Sequence, residues 1–182
     1  MTDKTGEMTR SLASEGDASD VPKIVQQESV LVFESFEETA AFKLGCALRS
    51  IAVREQVGIV IDIRLWDRQL FYAALPTSTA SNGEWARRKL NVVKLFHKSS
   101  YLLALQQQRE DRTFPPGYGL NPQDFVLAGG AFPIRVKGVG VIGAIAVSGL
   151  SQRSDHNLAV AGLCEHLGKD ANLLSLGPET WN

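Results

Sequence analysis

Two side chains place reactive groups inside an apolar setting. Over residues 82–98 the spacing predicts a helix, with Trp85, Val92 and Phe96 on one side and Ala86, Leu90 and Val93 widening it. Lys89 and His97 project into that same sector, in line with Val93 at four-residue steps. An ammonium or imidazole there needs a partner, a stem that reaches water, or a ligand. As ligand-binding residues, Lys89 would meet an anion such as a carboxylate or propionate, and His97 would bind metal or move protons. Residues 81–98 carry five Lys or Arg against one Glu, which suits an anionic ligand. His156 is the third candidate, aligned with Val160, Leu163 and Leu167 in the first turn of a later helix, still within reach of water. His166 falls on the polar side of that helix, in the last turn, where a positive charge complements the dipole.

Other motifs lack the context their chemistry requires. Gly138-Val139-Gly140-Val141-Ile142-Gly143 spells a dinucleotide fingerprint, but Ala144-Ile145-Ala146-Val147 continues it as a strand instead of opening a helix. The glycines are read as a tight turn and a close packing point. Ser148-Gly149-Leu150 leads from strand to helix without the flanking glycines of a nucleophile elbow. Ser151, Ser154 and Asp155 offer a helix start, read as ordinary capping. No histidine pair and no cysteine pair has zinc-site spacing, so no metal site is expected. Asp62 and Arg64 share one strand face close to Trp66, Phe71 and Tyr72. This makes Asp62, Arg64, Trp66 and Tyr72 candidate interface residues, with plain surface packing as the alternative.

The elements that must hold these groups follow from pattern and punctuation. A short helix is expected over 23–28 and an extended stretch over 30–33. Ser35-Phe36-Glu37-Glu38 fits a capping box opening a helix that ends near Gln56. Strands at 59–64 and 70–75, turned at Trp66-Asp67-Arg68, form a hairpin, and 131–136 with 139–148 form a second. Residues 101–108 read as a strand or a further helical turn, and 109–122 as a loop rich in Pro and Gly. Ser154 is expected to cap a last helix that Gly168 ends. The sum is an α+β single domain.

The chain has 182 residues, 44% hydrophobic and 21% charged, with a net charge of −1. One domain of this size buries enough surface to fold without disulfides. The charge balance removes the electrostatic case for a nucleic-acid partner, and no apolar run is long enough to span a membrane. Residues 1–21 read as a flexible tail, 22–170 as the domain and 171–182 as an extension. The tail lacks an apolar signal core and is acidic, so a cytoplasmic location is expected. Cys46 and Cys164 are expected to be small buried groups in helices.

Several separated motifs carry a resemblance. They are Val60-Ile61-Asp62-Ile63, Leu70-Phe71-Tyr72-Ala73-Ala74-Leu75-Pro76, Trp85-Ala86-Arg87-Arg88-Lys89-Leu90-Asn91-Val92-Val93, and Phe96-His97-Lys98-Ser99-Ser100-Tyr101. Gly129-Gly130-Ala131-Phe132-Pro133-Ile134, Gly143-Ala144-Ile145-Ala146-Val147-Ser148-Gly149-Leu150 and Asp155-His156 complete them. From Phe42 to Lys169 the chain resembles the haem-degrading-domain superfamily, the HbpS/GlcG-like proteins, in a branch usually classed as an uncharacterised protein family. The resemblance implies a profilin-like α/β sandwich, an antiparallel sheet flanked by helices, and a homo-oligomer. Some superfamily members bind haem or accompany corrinoid metabolism, which makes haem the cofactor to test. No ligand role transfers to His97 or His156.

Three readings follow. The first is a homo-oligomeric small-molecule-binding protein for haem or a related tetrapyrrole, with Lys89 and His97 near the ligand. The second is a non-catalytic oligomeric adaptor or scaffold with protein partners, as in a targeting or stress-response assembly. The third is an enzyme using Asp62, His97 or His156 in acid–base chemistry, for which no complete constellation is present.

Overall fold

The computed structural model describes residues 16–177. Its helices are α1 (Val21–Val30), α2 (Glu38–Arg54), α3 (Ala80–Phe96), α4 (Ser100–Gln107), α5 (Gln152–Leu167) and α6 (Ala171–Leu174). Strands β1 (Val60–Leu65), β2 (Gln69–Ala74), β3 (Ala131–Val136) and β4 (Gly140–Ser148) form one antiparallel sheet in the order β2-β1-β4-β3. Both expected hairpins are present, and β4 pairs with β1 to join them.

Strand alternation divides the interior into two layers. Ile61, Ile63, Phe132, Ile134, Ile145 and Val147 pack on α2 and α5 through Leu44, Leu48, Ile51, Ala159, Val160 and Leu163. Val60, Ala131, Ala144 and Ala146 face the opposite way, under Ala86, Leu90 and Val93 of α3. The alanines keep that surface low, so α3 lies close against the sheet. A fully buried side chain such as Leu90 contributes about 1.5–3 kcal/mol.

Boundaries moved where caps decided them. Helix α2 starts after Glu37, whose backbone is extended, so Ser35 lies outside it and makes no capping box. The box belongs instead to α3, between Thr79 and Asn82. Residues 100–107 are helical because the Ser99 hydroxyl accepts from Leu102 N–H. Helix α5 is capped by Ser151, which accepts from Ser154 N–H, and ends at Gly168 in the left-handed conformation. Cys164 is buried, but Cys46 is exposed on the outer side of α2.

Parts of the expected tail and extension pack on the domain. Asp20 is buried, ion-paired to Arg153 Nε at 2.8 Å and accepting from the Tyr101 hydroxyl at 2.9 Å. Leu174 is buried, and its carbonyl accepts from Gln27 Nε2 at 2.6 Å. The rest of the tail, 1–15, and of the extension, 178–182, lies outside the described residues. Among the described residues no helix is long and apolar enough to cross a membrane.

Candidate functional site

Lys89 sits where its helical spacing predicts, 3% exposed under α3. Its Nζ donates to Asp155 Oδ2 at 2.7 Å and to the Val147 carbonyl at 3.2 Å. Asp155 lies in the first turn of α5, and its Oδ1 accepts from Leu150 N–H at 2.9 Å. Burial pushes the Asp155 carboxyl up, while Lys89 and the amides of the 149–150 turn pull it down. The pair therefore ties α3 to the β4–α5 turn.

Gly130 makes room for it. Its φ is +122°, and an added Cβ would collide with the Val147 carbonyl and lie 2.8 Å from Lys89 Nζ. Gly130→Ala is expected to destabilise the fold by about 2–3 kcal/mol, through backbone strain and overpacking beside the ion pair. Urea unfolding of the variant measures this, and an unchanged midpoint would refute it.

Three adjoining depressions surround the outer side of the pair, and Arg112 lines all of them. The innermost, ≈ 140 Å³, is bounded by Asn82, Trp85 and Lys89 of α3 and by Ser148, Gly149, Gln152 and Asp155 around the β4–α5 turn. A second, ≈ 360 Å³, reaches Leu105, Arg109 and Gln152, and a third, ≈ 420 Å³, reaches Trp85, Arg88 and Phe125. The outer two are within the range of ~300–1,000 Å³ common for ligand sites. The Arg88 guanidinium lies 4.3 Å from the Trp85 ring centroid, and that of Arg112 lies 5.8 Å away. Arg112 adopts φ +54°, with Leu127 N–H donating to its carbonyl at 2.9 Å. Glu110 and Asp111 also border the cleft, and Asp111 pairs with Arg109 at 2.7 Å.

The structure does not bring Lys89, His97 and His156 together. Helix α3 ends at Phe96, and His97 takes the left-handed conformation at φ 55°. It therefore leaves the apolar sector and is exposed, its ring parallel to that of Trp66 with centroids 6.5 Å apart. His156 is fully buried, beyond the reach of water, between Tyr101 and Phe132 at 5.2 and 5.8 Å. Its Nε2 meets Gln27 Oε1 at 2.8 Å; because Gln27 Nε2 donates elsewhere, Nε2 carries the proton. His156 Nδ1 has no partner among the described residues, and burial pushes the imidazole pKa down to about 3.

Of the interface candidates, Asp62 is 3% exposed and accepts from Arg64 and from Gln69 Nε2 at 3.0 Å. Trp66 Nε1 donates to the Val141 carbonyl at 3.1 Å, and Tyr72 is half exposed on edge strand β2. The polar side of α3 is not wholly solvated. Arg87 pairs with Asp124 at 2.9 Å, and Asn91 donates to the Asp124 carbonyl, because the 121–125 turn folds back over it.

Arg112 was not legible as a site residue. The charged run Arg109-Glu110-Asp111-Arg112 stands in an expected loop, and nothing local says that it returns to Trp85. Asp155 had a signal, since a lysine within an apolar sector calls for a buried carboxylate.

The family model described as "Haem degrading protein HbpS-like" matches residues 36–164. A UPF0303 protein of Mesorhizobium japonicum is 56% identical over 162 residues, covering 89% of this chain and 97% of that protein. A UPF0303 protein of Brucella anthropi is 55% identical over 156 residues, covering 86% and 92%. Among solved structures, the Ybr137w protein aligns with a TM-score of 0.74 and 23% identity, covering 81% of this chain and 87% of that one. The PduOC–haem complex aligns at 0.61 and 19%, covering 73% and 94%. A double mutant of Streptomyces reticuli HbpS aligns at 0.59 and 19%, covering 71% and 86%. These structural likenesses show a shared fold.

Proposed function

The chain belongs to the haem degrading protein HbpS-like family, and from that premise we propose a small-molecule-binding protein, homo-oligomeric, whose ligand is haem or a related tetrapyrrole. The observation that carries this reading is the cleft shared by three depressions around Arg112. The Trp85 ring carries the Arg88 and Arg112 guanidiniums over it and so sets cationic groups for propionates on the cleft wall. Pro122, Phe125 and Val126 on the lining fit the apolar ring, and the guanidiniums fit its carboxylates. No imidazole, thiol or thioether among the described lining residues faces the cleft, so the ring is held by its periphery. Haem, when bound, would supply iron chemistry; this chain's residues bind and orient the macrocycle. The likeness to a haem complex of the same fold supports the assignment.

Titration of the purified protein with haemin is expected to give a saturable Soret shift. Trp85→Ala should weaken the apparent affinity about tenfold by removing the ring that holds the Arg88 and Arg112 guanidiniums in place. An unchanged spectrum with wild-type protein would overturn the reading.

The adaptor reading is favoured by one surface. Phe42 is 62% exposed and edge-on to Phe71 at 6.3 Å, beside the free edge of β2 where Tyr72 is 50% exposed. Light scattering and affinity capture test it, and a monomer without stable partners would count against it.

A further inference from the structure

Several side-chain donors on the lining of the ≈ 140 Å³ inner depression have N–H or O–H groups without an acceptor among the described residues. Asn82 Oδ1 accepts from Thr79 N–H at 2.7 Å, which fixes the amide and leaves Nδ2 as a donor. Gln152 Oε1 accepts from Gly129 N–H at 3.2 Å, which leaves Nε2 in the same way. Both Asp155 oxygens are engaged, by Lys89 Nζ and by Leu150 N–H. The Lys89 ammonium has three N–H groups and two acceptors, Asp155 and the Val147 carbonyl. Ser148 is 3% exposed and lines the depression, yet its hydroxyl has no hydrogen-bond partner among the described residues.

Position explains why Ser148 is there. It continues the Ala144 and Ala146 side of β4, the side covered by α3, at the point where the strand ends. A hydroxyl on that side has only the depression to face.

We propose that this depression is a carboxylate-binding site, with Ser148 Oγ, Asn82 Nδ2 and the third N–H of Lys89 as its donors. A carboxylate brings only acceptors and is flat enough for so small a space. The open N–H belongs to an ammonium, and a charge-assisted hydrogen bond from it favours a negative ligand over a neutral amide. The carboxylate of a small free acid and the propionate arm of a tetrapyrrole carry the same chemistry. The second source rests on the tetrapyrrole reading; the donor count does not.

Two arms test it on the full chain. In the first, isotope-labelled protein is titrated with acetate and with succinate, following the backbone amides of Ser148, Gly149 and Leu150. In the second, haemin and its dimethyl ester are compared by Soret titration. Ser148→Ala removes a hydroxyl without orphaning a partner, and Ser148→Val fills the space. A free acid as occupant gives saturable amide shifts, weakened about tenfold in Ser148→Ala and absent in Ser148→Val. A propionate as occupant makes haemin bind more tightly than its ester, a difference that Ser148→Ala reduces. The proposal is overturned if acetate and succinate give no saturable shift and haemin does not outbind its ester. It is equally overturned if Ser148→Ala leaves every affinity unchanged in a protein of unchanged urea midpoint. Failure of haemin to bind at all removes the tetrapyrrole reading only, because the free-acid arm then decides the site.

Discussion

Lys89→Met lowers the free energy of unfolding by about 3–5 kcal/mol, the loss expected when one partner of a buried ion pair is removed. The cause is the stranded partner. Asp155 is 1% exposed, and without the ammonium at 2.7 Å its carboxylate keeps only the amides of the 149–150 turn. Asp155→Leu strands Lys89 in the same way. The double variant Lys89→Met with Asp155→Leu is expected to recover much of the loss, since two apolar groups replace two charges. Urea unfolding of all four proteins gives the coupling directly. A single variant as stable as wild type would show that the pair is not a structural tie. By contrast, Lys137–Glu34 is exposed on both sides, and removing it should leave the urea midpoint where it is.

The second large effect depends on pH. His156 is neutral in the folded protein because burial lowers its pKa from 6.5 to about 3, while in the unfolded chain it protonates near 6.5. The unfolded state thus binds the extra proton below 6.5, and its uptake favours unfolding. The stability that His156 contributes is fully present above 6.5 and is lost as pH falls toward 3. Between about pH 7 and about pH 5 the loss is about 2 kcal/mol, at 1.36 kcal/mol per pH unit once the unfolded imidazole is protonated. His156→Gln keeps an N–H donor for Gln27 Oε1 and does not titrate, so its stability should change less over the same interval. His166 shifts in the same direction, by burial and the charge of Lys43, and remains in the variant. Equal slopes in wild type and variant would refute the assignment to His156.

Local pattern made the layers legible. Alternation in 59–64, the continuous apolar run of 139–148 and the turns that pair each with a neighbour were enough to expect two hairpins in an antiparallel sheet with helices on it. The placement of Lys89 under α3 was legible for the same reason, because four-residue spacing survives inside a regular helix. His97 shows where that inference stops. One residue past the last turn, a left-handed φ of 55° rotates the side chain out, and periodicity no longer applies. Ser35 and Ser154 failed in another way: α2 starts on the extended backbone of Glu37 with no side-chain cap, and Ser151, three residues earlier, accepts the N–H of Ser154. Arg112 was hidden because its role comes from a loop crossing to Trp85, a contact between residues 27 apart in sequence with no periodic signature. Ser148 was visible only as an incomplete nucleophile motif. Its meaning came from the unused donors around it, which no spacing rule encodes.

The most direct measurement for the cleft assignment is an experimental structure of the protein purified from its native cell and supplied with haemin. The expected result is a bound macrocycle in the Arg112 cleft beside Phe125 and Val126, with its carboxylates toward Arg88, Arg112 and the inner depression at Ser148. A macrocycle seated instead on the exposed His97–Trp66 stack, or a saturated protein with the Arg112 cleft empty, would contradict it.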